Sequence, residues 1–180
     1  MSAITPPAPW DNVAAVSRSF DLSMESTATG EQLHSAFSDK EYWLARYEGS
    51  GARLDSLVID ADSSVTVTIV GDGQREKMTG PIARLYPRSW QTVQEESWTL
   101  IGGGQVRGAI SIATRGAPGS GRATALASPT PHGSRIKFTG TVEFNVPLIG
   151  GRIESLIARQ LSKQISELLQ FTADWITSHD

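Results

Sequence analysis

The sequence predicts an α+β domain in which a strongly curved antiparallel sheet of about seven strands wraps around one long C-terminal helix. Three observations predict it. In TGTVEFNVPLIGGRIESLIARQLSKQISELL, Thr139 to Leu169, the side chains alternate before Pro147 and repeat every three or four residues after Gly151. The strand before that switch has one apolar and one polar face, as an antiparallel sheet with one wet side requires. The elements run in the order strand, two short helices, about six strands, long helix.

The chain starts MSAITPPAPWDNVAAV, with no basic n-region and no apolar h-region. Residues 1–15 are expected to form a flexible tail, not a Sec signal. Residues 16–178 are expected to form one domain. From Val16 to Glu25 the even positions, Val16, Phe20, Leu22 and Met24, are apolar with Arg18 the exception; the odd ones are polar. That is a half-buried strand. TATGEQLHSAF reads as a short helix capped by Thr29, with Gln32 three residues on. SDKEYWLARYE reads as a second, starting at Asp39 and ended by Gly49 and Gly51. Tyr42, Trp43, Leu44 and Tyr47 give it an aromatic side.

Strands are expected over 53–60, 64–71, 90–100, 106–113 and 122–128, with glycine turns at 102–104 and 116–121. Residues 72–88 have no clean period and read as a long loop or irregular hairpin. In the last strand Ile136, Phe138, Val142, Phe144 and Val146 share one face, with Gly140 at mid-length. At ~3.3 Å per residue the strand is about 36 Å long. The final helix, from about Gly151 to Ser178, carries Ile153, Ile157, Leu161, Ile165, Leu168 and Ile176 as a stripe. At ~1.5 Å per residue it is about 40 Å long. Matched length and a short turn predict that helix and last strand are antiparallel neighbours.

The chain has 180 residues, 16 basic and 19 acidic, a net charge of −3 and no cysteine. Scattered basic residues argue against nucleic-acid binding, which needs clustered Lys and Arg. The lack of cysteine excludes disulfides and thiol nucleophiles and fits a reducing, cytoplasmic location. No apolar run approaches the roughly 20 residues of a spanning helix.

With strand, two short helices, strands and long helix in that order, the chain resembles the START-like superfamily (SRPBCC, birch-pollen-allergen-like), whose fold is the helix grip. The segment VEFNVPLIGGRIESLIARQL resembles the sheet-to-helix junction of a bacterial branch of that superfamily known only as a domain of unknown function. The resemblance covers roughly Val16 to Ser178. It implies a cavity between sheet and helix, with the two short helices across its mouth.

Phosphate-loop chemistry is not expected. GAPGSGRAT has Arg122 and Ala123 where a nucleotide loop needs Lys and Ser or Thr, and a strand follows it. His34, His132 and His179 have no metal-ligand spacing, so neither a metal nor another cofactor is expected. The informative stretch is WQTVQEESWTL. Alternation puts Trp90, Thr92, Gln94, Glu96, Trp98 and Leu100 on one strand face. If the tryptophans face inward, the polar groups follow, and each costs roughly 1–3 kcal/mol when buried unpaired, a charge more. Either the cavity is lined by polar groups, or a bulge interrupts the pleat and turns Glu96 to solvent. Alternate Ala123, Ala125 and Ala127 either leave room inside or close against bulky neighbours. Arg18 is either a pocket cation or a strand-end side chain reaching solvent.

The expected function is binding of a hydrophobic small molecule, such as a lipid, an isoprenoid or a polyketide-like compound. The candidate residues are Phe37, Trp43 and Tyr47 on the helices at the mouth, and Trp90, Gln94, Glu96 and Trp98 on the strand. Leu161, Ile165 and Leu168 are the candidates on the long helix. One alternative is a cyclase- or aromatase-like enzyme using Glu96, Gln94, Tyr47 and Arg18. Another is a ligand-free protein-interaction module.

Overall fold

Strand pairing explains the order of elements. The computed structural model describes residues 16–78, 83–84, 86–144 and 152–179. The strands are β1 (Val16–Ser26), β2 (Ala52–Ile59), β3 (Val65–Gln74), β4 (Ser89–Ile101), β5 (Gln105–Arg115), β6 (Ser120–Thr130) and β7 (Gly133–Phe144). They form one curved antiparallel sheet in the order β1-β7-β6-β5-β4-β3-β2. The two edges, β1 and β2, are consecutive in the chain, so the connection between them must cross the sheet. It does so as α1 (Gly30–Ser38) and α2 (Lys40–Arg46). Thr29 and Gln32 form a reciprocal capping box at the start of α1, and Asp39 caps α2. α1 approaches β4, β5 and β6, while α2 reaches β2.

The last element, α3, runs Arg152–His179. Among the described residues its closest backbone neighbours are β1 and α1. Residues of β7 (Ile136 and Phe138) share the core cluster with Ile165, Leu169 and Ile176 of α3, and the turn expected to join the two elements falls at 145–151. Residues 1–15 and the junction residues 145–151, which carry the tail and the period switch, lie outside the described residues.

Register sets the inner face in rows, because residues opposite one another in a ladder share a face. One row is Val65, Trp98, Gly108, Ala125, Phe138 and Leu22. The next is Val67, Glu96, Ile110, Ala123, Gly140 and Phe20. The third is Ile69, Gln94, Ile112, Gly121, Val142 and Arg18. The first row is core, packed with Leu33, Ala36 and Phe37 of α1, Tyr42 and Trp43 of α2, and Ile165, Leu169 and Ile176 of α3. In the third row Gln94 and Val142 are half-buried, Ile112 is 37% exposed and Arg18 is exposed. Burial therefore declines along the concave face.

Of the two alternatives for β4, the bulge is absent: its pairing to β3 and β5 is continuous. The irregularity lies in β2, between Leu54 and Ser56. Residues 72–74, expected in a loop, extend β3, and Arg75–Lys77 make a single 3-10 turn. Ala125 and Ala127 are closed in at 2% exposure; Ala123 is only half-buried. Arg18 lies near the strand end and donates to the Ser17 carbonyl at 3.1 Å.

Candidate functional site

Glu96 is 1% exposed, so the unbroken pleat of β4 carries a carboxylate into the interior. Burying such a charge without partners is prohibitive. Arg46, at the end of α2, supplies the first partner: Nη2 donates to Oε1 at 2.9 Å and Nη1 to Oε2 at 3.4 Å. Trp98 Nε1 donates to Oε2 at 2.9 Å, and Gln94 Nε2 donates to Oε1. Each oxygen thus accepts two hydrogen bonds, which engages all four lone-pair directions. Glu96 has no acceptor left for a substrate proton. The arrangement makes it an anchor for Arg46, Gln94 and Trp98.

The sequence of α2 explains the other half. In YWLARY, Arg46 stands four residues after Tyr42 and three after Trp43, so the three share a helix face. The guanidinium lies over the Trp43 ring at 4.9 Å and over the Tyr47 ring at 5.1 Å, within cation–π range. Burial works against its charge, but the Glu96 carboxylate beside it more than offsets this and raises its pKa. Trp43 Nε1 donates to the Phe37 carbonyl at 2.8 Å, and Tyr42 Oη pairs with Thr172 Oγ1 of α3 at 2.8 Å. A helix of seven residues has little stability of its own; these contacts hold it.

Tyr47 Oη accepts from Gln94 Nε2 at 3.0 Å. Burial pushes the Tyr47 hydroxyl up to about 12. Gln94 and Tyr47 mark the boundary between the sealed core and the less covered end of the concave face.

At that end the inner face has an open floor among the described residues. Glycines elsewhere in the sheet are roofed. A Cβ on Gly108 would meet Trp98 Cζ3 at 2.3 Å, one on Gly73 would meet Trp90 Cε2 at 2.1 Å, and one on Gly140 would meet Phe20 Cζ at 2.7 Å. Among the described residues, a Cβ on Gly121 would meet nothing nearer than Val142 Cγ1 at 3.5 Å, an ordinary contact. Around Gly121 stand Ile112, Val142 and Ala123, none of them buried. Trp90 packs on Tyr86 with centroids 4.7 Å apart at the end of β4.

Residues 21–176 match the family described as "Protein of unknown function (DUF2505)". The chain belongs to the DUF2505 family. Uncharacterized protein Rv0481c of Mycobacterium tuberculosis (strain ATCC 25618 / H37Rv) is 30% identical over 171 residues, covering 90% of this chain and 98% of that protein. Uncharacterized protein Mb0491c of Mycobacterium bovis matches to the same extent. Among solved structures, Mll3558 from Rhizobium loti superposes with a TM-score of 0.54 at 15% identity, covering 89% of this chain and 98% of that one. Ara h 8.0201 does so at 0.52 and 13%, covering 91% and 99%. At such identities the likeness shows the fold alone, a helix grip in which a curved antiparallel sheet wraps a long C-terminal helix.

In this DUF2505 protein the ten residues expected to hold a ligand divide in two. Phe37, Trp43, Glu96, Trp98 and Ile165 are buried in the sealed part. Tyr47, Trp90, Gln94, Leu161 and Leu168 are half-buried. Sequence reasoning did not single out Arg46. The available signal was an arginine on the aromatic side of a short helix in a chain whose β4 turns a glutamate inward. Two hollows on the DUF2505 surface lie elsewhere: one of about 480 Å³ along β1 and α3 beside Met24, Gln170 and Asp174, and one of about 500 Å³ on the outer sheet face beside Ser111, Arg122 and Thr139. Neither is lined by any of the ten. Among the described residues no cluster of three or more acidic or histidine side chains could hold a metal, and no helix is long and apolar enough to cross a membrane.

Proposed function

We propose that this DUF2505 protein binds a hydrophobic small molecule between the sheet and the C-terminal helix, at the less covered end of the concave face. One observation carries the reading. Ile112 is 37% exposed on the inner face of a central strand, beside Gly121, over which no described side chain forms the roof that covers Gly108, Gly73 and Gly140. Apolar area left in water on an inner face forfeits about 25 cal/mol per Å² that a ligand would recover. Apolar walls with a few polar groups are the usual make-up of a small-molecule site. The half-buried Phe20, Trp90, Phe144 and Leu161 supply such walls, and Gln94 and Tyr47 supply the polar groups. The START-like resemblance supports the same reading.

The test is titration with the neutral fluorophore N-phenyl-1-naphthylamine. The wild-type protein is expected to bind one equivalent saturably. Gly121→Leu, which fills the open floor, is expected to weaken binding at least tenfold with its circular dichroism retained. Should Gly121→Leu fail to fold, Ala123→Val is the replacement, adding bulk one row away. A wild-type protein with no saturable binding, and no small molecule in its native mass spectrum, sinks the reading. So does a folded filling variant that binds as tightly as wild type.

A further inference from the structure

We propose that the ligand carries one neutral hydroxyl group, held between the side-chain oxygen of Gln94 and the hydroxyl of Tyr47. The inference rests on the reading of the concave face as an apolar site and names the polar end of the molecule that enters it.

The orientation of the Gln94 amide is settled by charge. Its nitrogen must face the Glu96 carboxylate, because an amide oxygen there would repel it. Both amide hydrogens are then in use, one on Glu96 Oε1 and one on Tyr47 Oη at 3.0 Å. Among the described residues nothing donates to Gln94 Oε1. That oxygen is also reachable, since no described side-chain nitrogen or oxygen is both buried and unpartnered. Tyr47 Oη accepts the amide hydrogen, so its own proton remains to be given. The pair therefore presents one acceptor and one donor side by side.

A single atom that gives a hydrogen to Gln94 and accepts one from Tyr47 is a hydroxyl oxygen. A ketone or ether oxygen accepts only and would oppose the Gln94 oxygen unpaired, at a cost. An ammonium group donates only. A carboxylate would bring negative charge beside Glu96, and the cation at hand, Arg46, is engaged by Glu96 through both terminal nitrogens. The raised pKa of Tyr47 keeps it a donor throughout the physiological range. From Gln94 the third row runs over Ile112 and Gly121 to Val142, three strand spacings away. At roughly 4.8 Å per spacing this is about 14 Å of apolar floor. The class that fits is an alcohol or phenol with an apolar body of about that length.

Displacement of bound N-phenyl-1-naphthylamine by 1-decanol, decyl methyl ether and decanoate tests this. The ether keeps the oxygen and loses the hydrogen. Wild type is expected to prefer 1-decanol over the ether about tenfold. In Tyr47→Phe and in Gln94→Met that ratio, which normalises for changes in the apolar part, is expected to fall within about twofold of unity. A wild-type ratio near unity while the fluorophore still binds overturns the hydroxyl and leaves the apolar site standing. A preference for decanoate, or a full ratio retained in both folded variants, overturns it as well. Absence of fluorophore binding in the wild type instead overturns the underlying reading.

Discussion

Glu96 and Arg46 form a buried ion pair, and the cost of such a pair is felt when one member is removed. Glu96→Gln leaves the guanidinium, which is only 12% exposed, facing an uncharged amide. The expected loss is about 3–5 kcal/mol in urea unfolding. The double substitution of Glu96 and Arg46 by Met is expected to cost less than Glu96→Gln alone, because no charge is left without its counterion. Tyr47 predicts a pH dependence. Its pKa is about 12 in the fold, mainly through burial, against an ordinary value near 10.0. Below pH 10 both folded and unfolded chains hold the proton, and the contribution to stability is complete. Between roughly pH 10 and 12 the unfolded chain ionises first, so that contribution is lost as pH rises. Thermal midpoints are expected to fall across that window, and less steeply in Tyr47→Phe. The inward alternation of β4 was readable in its residues. The partner of Glu96 was not, because Arg46 is fifty positions away on another element.

Among the elements, β6 and β7 make the sharpest prediction. An alanine at Gly140 would put its Cβ 2.2 Å from the carbonyl oxygen of Arg122 and 2.9 Å from Ala123 Cα, both backbone atoms. No rotamer change relieves that contact. The expected cost is about 1–3 kcal/mol in the denaturant midpoint. Gly121→Ala, with its nearest contact at 3.5 Å, is expected to be close to neutral. At the start of α1, Thr29→Ala removes a cap and is expected to cost about 1 kcal/mol. That cap was legible, since Thr29 and Gln32 satisfy one another within four residues. The choice between a bulge and an inward Glu96 in β4 stayed open in the sequence, because the charge that a bulge would have turned outward is neutralised from α2. Propensity and pattern on one strand cannot weigh such a partner.

For the whole molecule, the proposed site couples binding to stability. A ligand at a hundredfold excess over its dissociation constant stabilises the folded state by about 2.7 kcal/mol. For a domain of this size that corresponds to a rise of roughly 5–10 °C in thermal midpoint. 1-Decanol is expected to produce it in the wild type and to lose it in a folded Gly121→Leu protein, read by differential scanning calorimetry. By itself the sequence determined the kind and order of the elements and which residues of each share a face. Periodicity, caps and turn glycines are local, and act within a few residues. Only the tertiary structure decided what those faces meet: Trp98 laid over Gly108, Arg46 against Glu96, α3 beside β1 and α1, and, among the described residues, an open floor at Gly121. Those outcomes depend on strand register and on pairing every buried charge, which are properties of the assembled sheet and not of any one segment.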